Sequence, residues 1–153
     1  MATSFRYDAA AWGVGELWFE GQRLVHHELP VAGVQRSERS HPLGERLASY
    51  FAGDDLGFDD VALDLDGWTR FQRAVLETLR AVPRGEVVAY GELAALAGYP
   101  GAARAAGTFC ARNRFPIVVP CHRVVGAEGL GSYGSLGLGY KRRLLELEGV
   151  ALD

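Results

Sequence analysis

Cys121 is the residue in this chain best placed for nucleophilic chemistry. It closes the run Ile117-Val118-Val119-Pro120 and is followed by His122-Arg123-Val124-Val125. The thiolate is the reactive form of cysteine, and a neighbouring imidazole can take the proton. Pro120 fixes its own φ and biases Val119 toward an extended backbone, so the thiol is carried on a stiff segment. The β-branched residues predict a short strand over 117–125. Neighbours in a strand face opposite ways, so Cys121 and His122 would meet only through a bend or one bridging water. A plainer reading is a buried strand containing a small apolar cysteine, the usual place of a free thiol. His122-Arg123 in the middle of the run argues against it, because a core strand leaves both without partners.

The elements that must carry this stretch are bounded by composition. The chain has 153 residues, 48% hydrophobic and 23% charged, enough for one or two small domains with a real core. No run is long or apolar enough for a membrane span, and no apolar secretory segment opens the sequence. With no such segment, Cys110 and Cys121 are expected to be reduced thiols in the cytoplasm. No C-x-x-C pair occurs and His26, His27 and His41 are far from both cysteines in sequence, so a zinc site is not expected. The net charge of −3 hides an asymmetry. Residues 1–67 carry five Lys/Arg against twelve Asp/Glu, and residues 68–153 eleven against seven. Between Glu92 and Glu128 there is no acid, while Arg104, Arg112, Arg114 and Arg123 fall there. By charge alone this is equally a phosphate-binding surface or a solvated arginine face.

Two runs flanking Gly21-Gln22-Arg23, Val14–Glu20 and Leu24–Leu29, predict a β-hairpin in which His26 and His27 are plain strand residues. Pro42–Ala52 fits an amphipathic helix ended by Gly53. The acidic segment 54–66 reads as the connection to the rest, with a last short strand near Val61–Leu65. Thr69-Arg70-Phe71-Gln72 fits a capping box at the start of a helix over 69–82. Phe71, Val75, Leu79 and Val82 would form its core face, and Pro83 and Gly85 stop it. Tyr90–Ala97 and Ala102–Ala111, joined by Gly98-Tyr99-Pro100-Gly101, make a helix-turn-helix candidate. The second helix has small residues around one long cation, Arg104, and so allows close approach of a neighbouring helix or a nucleic-acid groove. Asn113 suits a hinge before the active stretch. Residues 126–139 contain six glycines but lack the lysine pattern of a phosphate loop. A final helix is expected from Lys141 to Glu148, whose acidic end opposes the helix dipole.

Pro120-Cys121-His122-Arg123-Val124, preceded by Asn113-Arg114-Phe115-Pro116-Ile117, resembles the O6-alkylguanine-DNA alkyltransferase family over about residues 60 to 150. The resemblance implies an α+β fold: a small N-terminal β-sheet domain, ribonuclease H-like, over 1–66, and a mainly helical DNA-binding domain with the helix-turn-helix and active-site cysteine over 67–153. It implies that Cys121 takes the alkyl group from O6-alkylguanine in double-stranded DNA, once, irreversibly and without any cofactor, with O4-alkylthymine as a second candidate substrate. Glu148 matches the glutamate that orients the histidine, His122, which serves the thiol, and Asn113 matches the hinge asparagine. Ala102-Ala103-Arg104-Ala105 matches the minor-groove helix whose arginine fills the space of a flipped base. Tyr90 matches the tyrosine that crowds the 3′ phosphate and serves the leaving base. Tyr133, Gly134 and Ser135 match the wall of the guanine pocket, and the carbonyls of Cys121 and Val124 match acceptors of its amino group. The protein is expected to act as a monomer, away from membranes. Two departures stand out. Arg114 occupies a position where the family commonly has proline, and the glycine-rich loop is one residue longer than the familiar version.

Three other readings remain open at the level of sequence. One is a damage-marking relative that binds lesions without repair, although such proteins lack the cysteine. Another is a cysteine hydrolase using Cys121 and His122. The third is a sequence-specific regulator built on the helix-turn-helix, which lacks a second DNA-binding element.

Overall fold

A computed structural model describes residues 1–152 and shows an α+β protein of two compact units. The first comprises Met1–Asp64 together with Arg114–Val118; the second comprises Leu65–Asn113 and the chain from Val119 onward. A division at residue 66 puts 114–118 with the second unit, whereas their contacts belong to the first.

The first unit is an antiparallel sheet of β1 (Thr3–Asp8), β2 (Val14–Glu20) and β3 (Arg23–Val31) in that order. The β2–β3 turn is Gly21-Gln22, with Gly21 at φ 60°, a conformation only glycine adopts without strain. Helix α1 (Pro42–Phe51) starts where His41 Nδ1 accepts from the Leu43 amide at 3.0 Å. It buries Leu43, Leu47, Tyr50 and Phe51, and Leu17, Leu24 and Leu47 are fully enclosed. The last short strand expected near 61–65 is only a single parallel bridge, Leu63 to Leu24. His27 is a strand residue with a further task. Its Nε2 accepts from the Tyr7 hydroxyl at 2.6 Å, and its Nδ1 donates to the Pro116 carbonyl at 2.7 Å. The His27 amide also donates to the Arg114 carbonyl at 2.8 Å, so one strand residue pins 114–116.

The second unit is mainly helical. Helix α2 (Arg70–Arg80) begins with a complete capping box: Gln72 N donates to Thr69 Oγ1 (3.1 Å) and Thr69 N donates to Gln72 Oε1 (2.9 Å). Its buried face is Val75, Leu76 and Leu79. Phe71 is only half-buried, edge-on to Tyr99, and Val82 lies beyond the helix end. Strand β4 (Val88–Ala89) pairs in parallel with β5 (Val124–Val125). Between them run α3 (Tyr90–Leu96) and α4 (Ala103–Ala111), the two arms of the helix-turn-helix. The two helices pack closely at Gly91, where even an added Cβ would meet that of Ala103 at 3.7 Å, an ordinary van der Waals contact. Helix α5 (Gly137–Leu147) closes the unit and starts one turn before the expected Lys141. Its glycines argue against helix by propensity, but burial of Lys141, Leu144 and Leu145 along one face outweighs that preference.

The strand expected over 117–125 is not there. Ile117 has φ 72°, in the left-handed region that disfavours a β-branched residue, and Ile117, Val118 and Val119 are buried in succession rather than alternately. Pro120 (φ −80°, ψ 63°) makes an inverse γ-turn closed by Cys121 N donating to Val119 O at 2.8 Å. Cys121–Arg123 is a single 310 turn, and only Val124–Val125 pairs as strand. With no amide on Pro120 to continue a ladder, apolar β-branched residues fill core space instead.

Candidate active site

The γ-turn and the 310 turn place Cys121 and His122 in the interior of the second unit, 5% and 0% exposed. His122 Nε2 lies 2.8 Å from Glu148 Oε2, at the C-terminal cap of α5. Arg123 Nε and Nη2 donate to the two oxygens of the same carboxylate at 2.9 Å each, and Arg123 Nη1 donates to the Val82 carbonyl at 2.8 Å. Burial alone would raise the Glu148 pKa, but the hydrogen bonds from His122 and Arg123 prevail and hold it well below the usual carboxylate range. Burial lowers the His122 pKa more than Glu148 raises it. The ring is therefore neutral at neutral pH, with its Nε2 proton donated to an ionised carboxylate. Nδ1 is then an acceptor, and it has no hydrogen-bond partner among the described residues. Arg123 is consequently no part of a basic surface: counting charge along the sequence does not register that its fork is committed to Glu148.

Burial, followed by the hydrogen bond with Cys110, pushes the Cys121 thiol up; the Asn113 side chain and Lys141 oppose that. The resting group is a thiol. Asn113 joins the two ends of the site. Its amide donates to the Cys110 carbonyl (3.2 Å) at the end of α4, and its Nδ2 donates to the Val119 carbonyl at 2.9 Å, the same oxygen that closes the γ-turn. Arg114 donates to the Asp64 carbonyl at 3.3 Å and lies 5.2 Å over the Phe115 ring.

Tyr90, the first residue of α3, hydrogen-bonds Ser132, and burial raises its pKa, so it carries its proton. Tyr133 is likewise protonated through burial, and its hydroxyl has no hydrogen-bond partner among the described residues. Gly134 and Ser135 are exposed in a 310 turn. Val124 opens β5. On α4, Ala103, Arg104 and Ala105 are exposed, with Ala102 at the cap, while Ala106 and Phe109 face inward. The exposed end of α4 is thus a small-residue surface bearing one cation.

Lys141 was not singled out from sequence. It is 0% exposed, and its ammonium donates to the carbonyls of Val124 (2.5 Å), Leu130 and Ser132 (3.2 Å). These bonds tie the strand after Cys121 to the glycine-rich loop and hold Ser132 where Tyr90 meets it. The available signal was that Lys141 is the sole lysine in a chain whose other basic residues are all arginine. Three separate carbonyls suit a compact ammonium with three donors better than a planar guanidinium fork.

Among the described residues no cluster of three or more His, Cys, Asp or Glu is placed to hold a metal ion, and no helix is long and apolar enough to cross a membrane.

Comparison with known proteins shows the family and the fold. The family described as 6-O-methylguanine DNA methyltransferase, DNA binding domain, matches residues 70–150. The methylated-DNA–protein-cysteine methyltransferase of Salmonella typhimurium is 45% identical over 97% of this chain and 86% of its own. Mycobacterium tuberculosis OGT, solved in complex with DNA, superposes with a TM-score of 0.77 at 39% identity, covering 95% of this chain and 92% of that one. An O6-methylguanine-DNA methyltransferase from Pyrococcus kodakaraensis gives a TM-score of 0.75 at 29% identity, over 98% of this chain and all of that one. The chain belongs to the methylated-DNA–protein-cysteine methyltransferase family.

Proposed function

We propose that this protein repairs DNA by moving the alkyl group of O6-alkylguanine onto Cys121, once per molecule. The observation that carries the proposal is the buried relay Glu148–His122 beside a protonated cysteine, with the acceptor nitrogen Nδ1 of His122 lacking a partner among the described residues. Glu148 fixes the tautomer. Nδ1 takes the Cys121 proton through a bridging water as the sulfur attacks the alkyl carbon. The S–C bond forms, the C–O6 bond breaks, and the electron pair leaves with guanine. The protonated Tyr90 hydroxyl donates to the departing base and limits its charge. The product is a thioether, which water does not displace, and a single acceptor makes the reaction stoichiometric.

The alkylated base must leave the duplex to reach a buried thiol, at a cost of a few kcal/mol that is least for a poorly paired base. The α4 surface supplies the means: Ala102 and Ala103 allow close approach to the minor groove, Arg104 enters the stack, and Tyr90 crowds the phosphate. Val124, Tyr133, Gly134 and Ser135 wall the pocket, with Asn113 holding the Cys121 turn. The protein works as a monomer in the cytoplasm, and O4-alkylthymine is a candidate second substrate.

Duplex DNA with one O6-methylguanine, mixed with the protein and followed by intact mass and peptide mapping, should give one methyl group on Cys121, saturating at one per protein. Cys121→Ser should bind the duplex and take up none. Uptake by that variant would overturn the assignment. Arg104→Ala should lose far more activity on duplex DNA than on free O6-benzylguanine; equal losses would remove base flipping from the reading.

A further inference from the structure

The only two cysteines of the chain meet in the fold, although ten residues lie between them in sequence. Cys110 sits in the last turn of α4, half-buried, and Cys121 begins the 310 turn. Two short links connect them: Asn113 N to the Cys110 carbonyl, then Asn113 Nδ2 to Val119 O, which also receives Cys121 N. Their thiols hydrogen-bond to each other, and both act electrostatically on Tyr90, Tyr133 and Lys141. The alkyl-transfer scheme has no use for Cys110.

We infer that Cys110 and Cys121 form a reversible intramolecular disulfide when the protein meets hydrogen peroxide, with Cys110 as the entry point. Cys110 is the more exposed sulfur, whereas Cys121 is enclosed. The Cys110 thiolate attacks peroxide: an S–O bond forms, the O–O bond breaks and hydroxide leaves. The Cys121 sulfur then attacks the Cys110 sulfenic acid, the S–O bond breaks, and the Cys121 proton departs with the oxygen as water. Two thiols lose two electrons and two protons, and peroxide becomes two waters. The disulfide removes the acceptor thiol from service and shields it from irreversible oxidation until a thiol reductant restores both sulfurs.

The test uses the full chain without DNA. It is treated with a small excess of hydrogen peroxide, quenched with catalase, alkylated under denaturing conditions and weighed. The expected monomer is lighter by two hydrogens, takes no alkylating label, and yields after trypsin the peptide 105–112 joined to 115–123. Methyl uptake disappears and returns with dithiothreitol. Cys110→Ala should form no such species and should instead gain oxygen on Cys121, with uptake that dithiothreitol does not restore. Oxygen addition to wild-type Cys121 without the cross-link, or disulfide-linked dimers only, would overturn the inference. The cross-link is read independently of DNA, so a protein that forms it yet never takes up methyl would sink the repair reading and leave the disulfide standing.

Discussion

Lys141 Nζ lies 2.5 Å from the carbonyl oxygen of Val124, three residues after Cys121, while donating also to the loop carbonyls of Leu130 and Ser132. A buried ammonium with three carbonyl partners is stable only while those partners stay in place. Lys141→Met keeps the apolar stem but leaves carbonyls without their charged donor. Three such bonds contribute about 1.5–3 kcal/mol each, and Met also removes the cost of burying the ammonium, so the expected net loss is about 3–5 kcal/mol. At this chain length that corresponds to a fall in Tm of roughly 6–20 °C. Thermal unfolding followed by circular dichroism checks it, and a shift within about 2 °C would show that the clamp carries no stability.

The contrast between Lys141 and Cys121 shows what the sequence discloses. The contact of His122 with Glu148 was expected from the resemblance, with acid at a helix end as a supporting misfit, and Cys121 and His122 stand in one contiguous motif. The exposure of Arg104 was legible because small residues surround it. Lys141 was not, since its partners are backbone carbonyls and carry no residue signature. Arg123 was counted with an arginine-bearing surface, phosphate-binding or solvated, for a related reason: formal charge is a property of sequence, burial a property of the fold. The strand assigned to 117–125 failed because β-branched residues also fill cores in turns, and only Ile117's positive φ and the γ-turn at Pro120 separate the two cases.

Glu148 holds both His122 and Arg123. In Glu148→Gln the Arg123 charge remains buried without its partner, and about 3–5 kcal/mol of stability should go with it. Methyl uptake should fall by about 10²-fold, the low end of what a general base supplies. The pH profile separates catalysis from folding. Neutral His122 is the base, and its pKa lies below 6.5, so wild-type uptake should hold through neutral pH and fall only under more acidic conditions. Glu148 raises that pKa; without it the acidic limb should move to still lower pH. A variant that loses rate with an unmoved limb would assign Glu148 a purely structural part.

Gly131 sits at φ 82° against Tyr90. A Cβ there would lie 2.8 Å from the Tyr90 hydroxyl oxygen, 3.0 Å from its ring and 3.3 Å from the Gly126 amide nitrogen. Gly131→Ala therefore combines left-handed backbone strain with displacement of the tyrosine, at about 1–3 kcal/mol from the backbone alone. Gly129 has open space around it and no positive φ, so Gly129→Ala is the control. Uptake from O6-methylguanine DNA should drop in Gly131→Ala beyond what its stability explains, and Gly129→Ala should behave as wild type. Equal behaviour of the two would mean that Tyr90 needs no such contact.

His27 links acid sensitivity to the first unit. It is neutral in the fold, donating from Nδ1 to Pro116 and accepting at Nε2 from Tyr7, so a second proton has no place. Burial lowers its pKa from 6.5 to about 4. The unfolded chain takes the proton as pH drops through 6.5, whereas the folded chain resists until about 4. The stabilisation is therefore complete above pH 6.5 and is lost progressively on acidification to about 4, by about 3 kcal/mol in all. His27→Gln loses geometry at every pH but carries no such titration. Urea unfolding of both proteins from about pH 7.5 to about 4.5 isolates the effect, since carboxylates common to both cancel in the difference. Wild type should be the more stable at neutral pH, and the gap should narrow steadily below pH 6.5. A gap that stays constant across that range would mean that His27 takes up its proton as readily in the fold as in the unfolded chain.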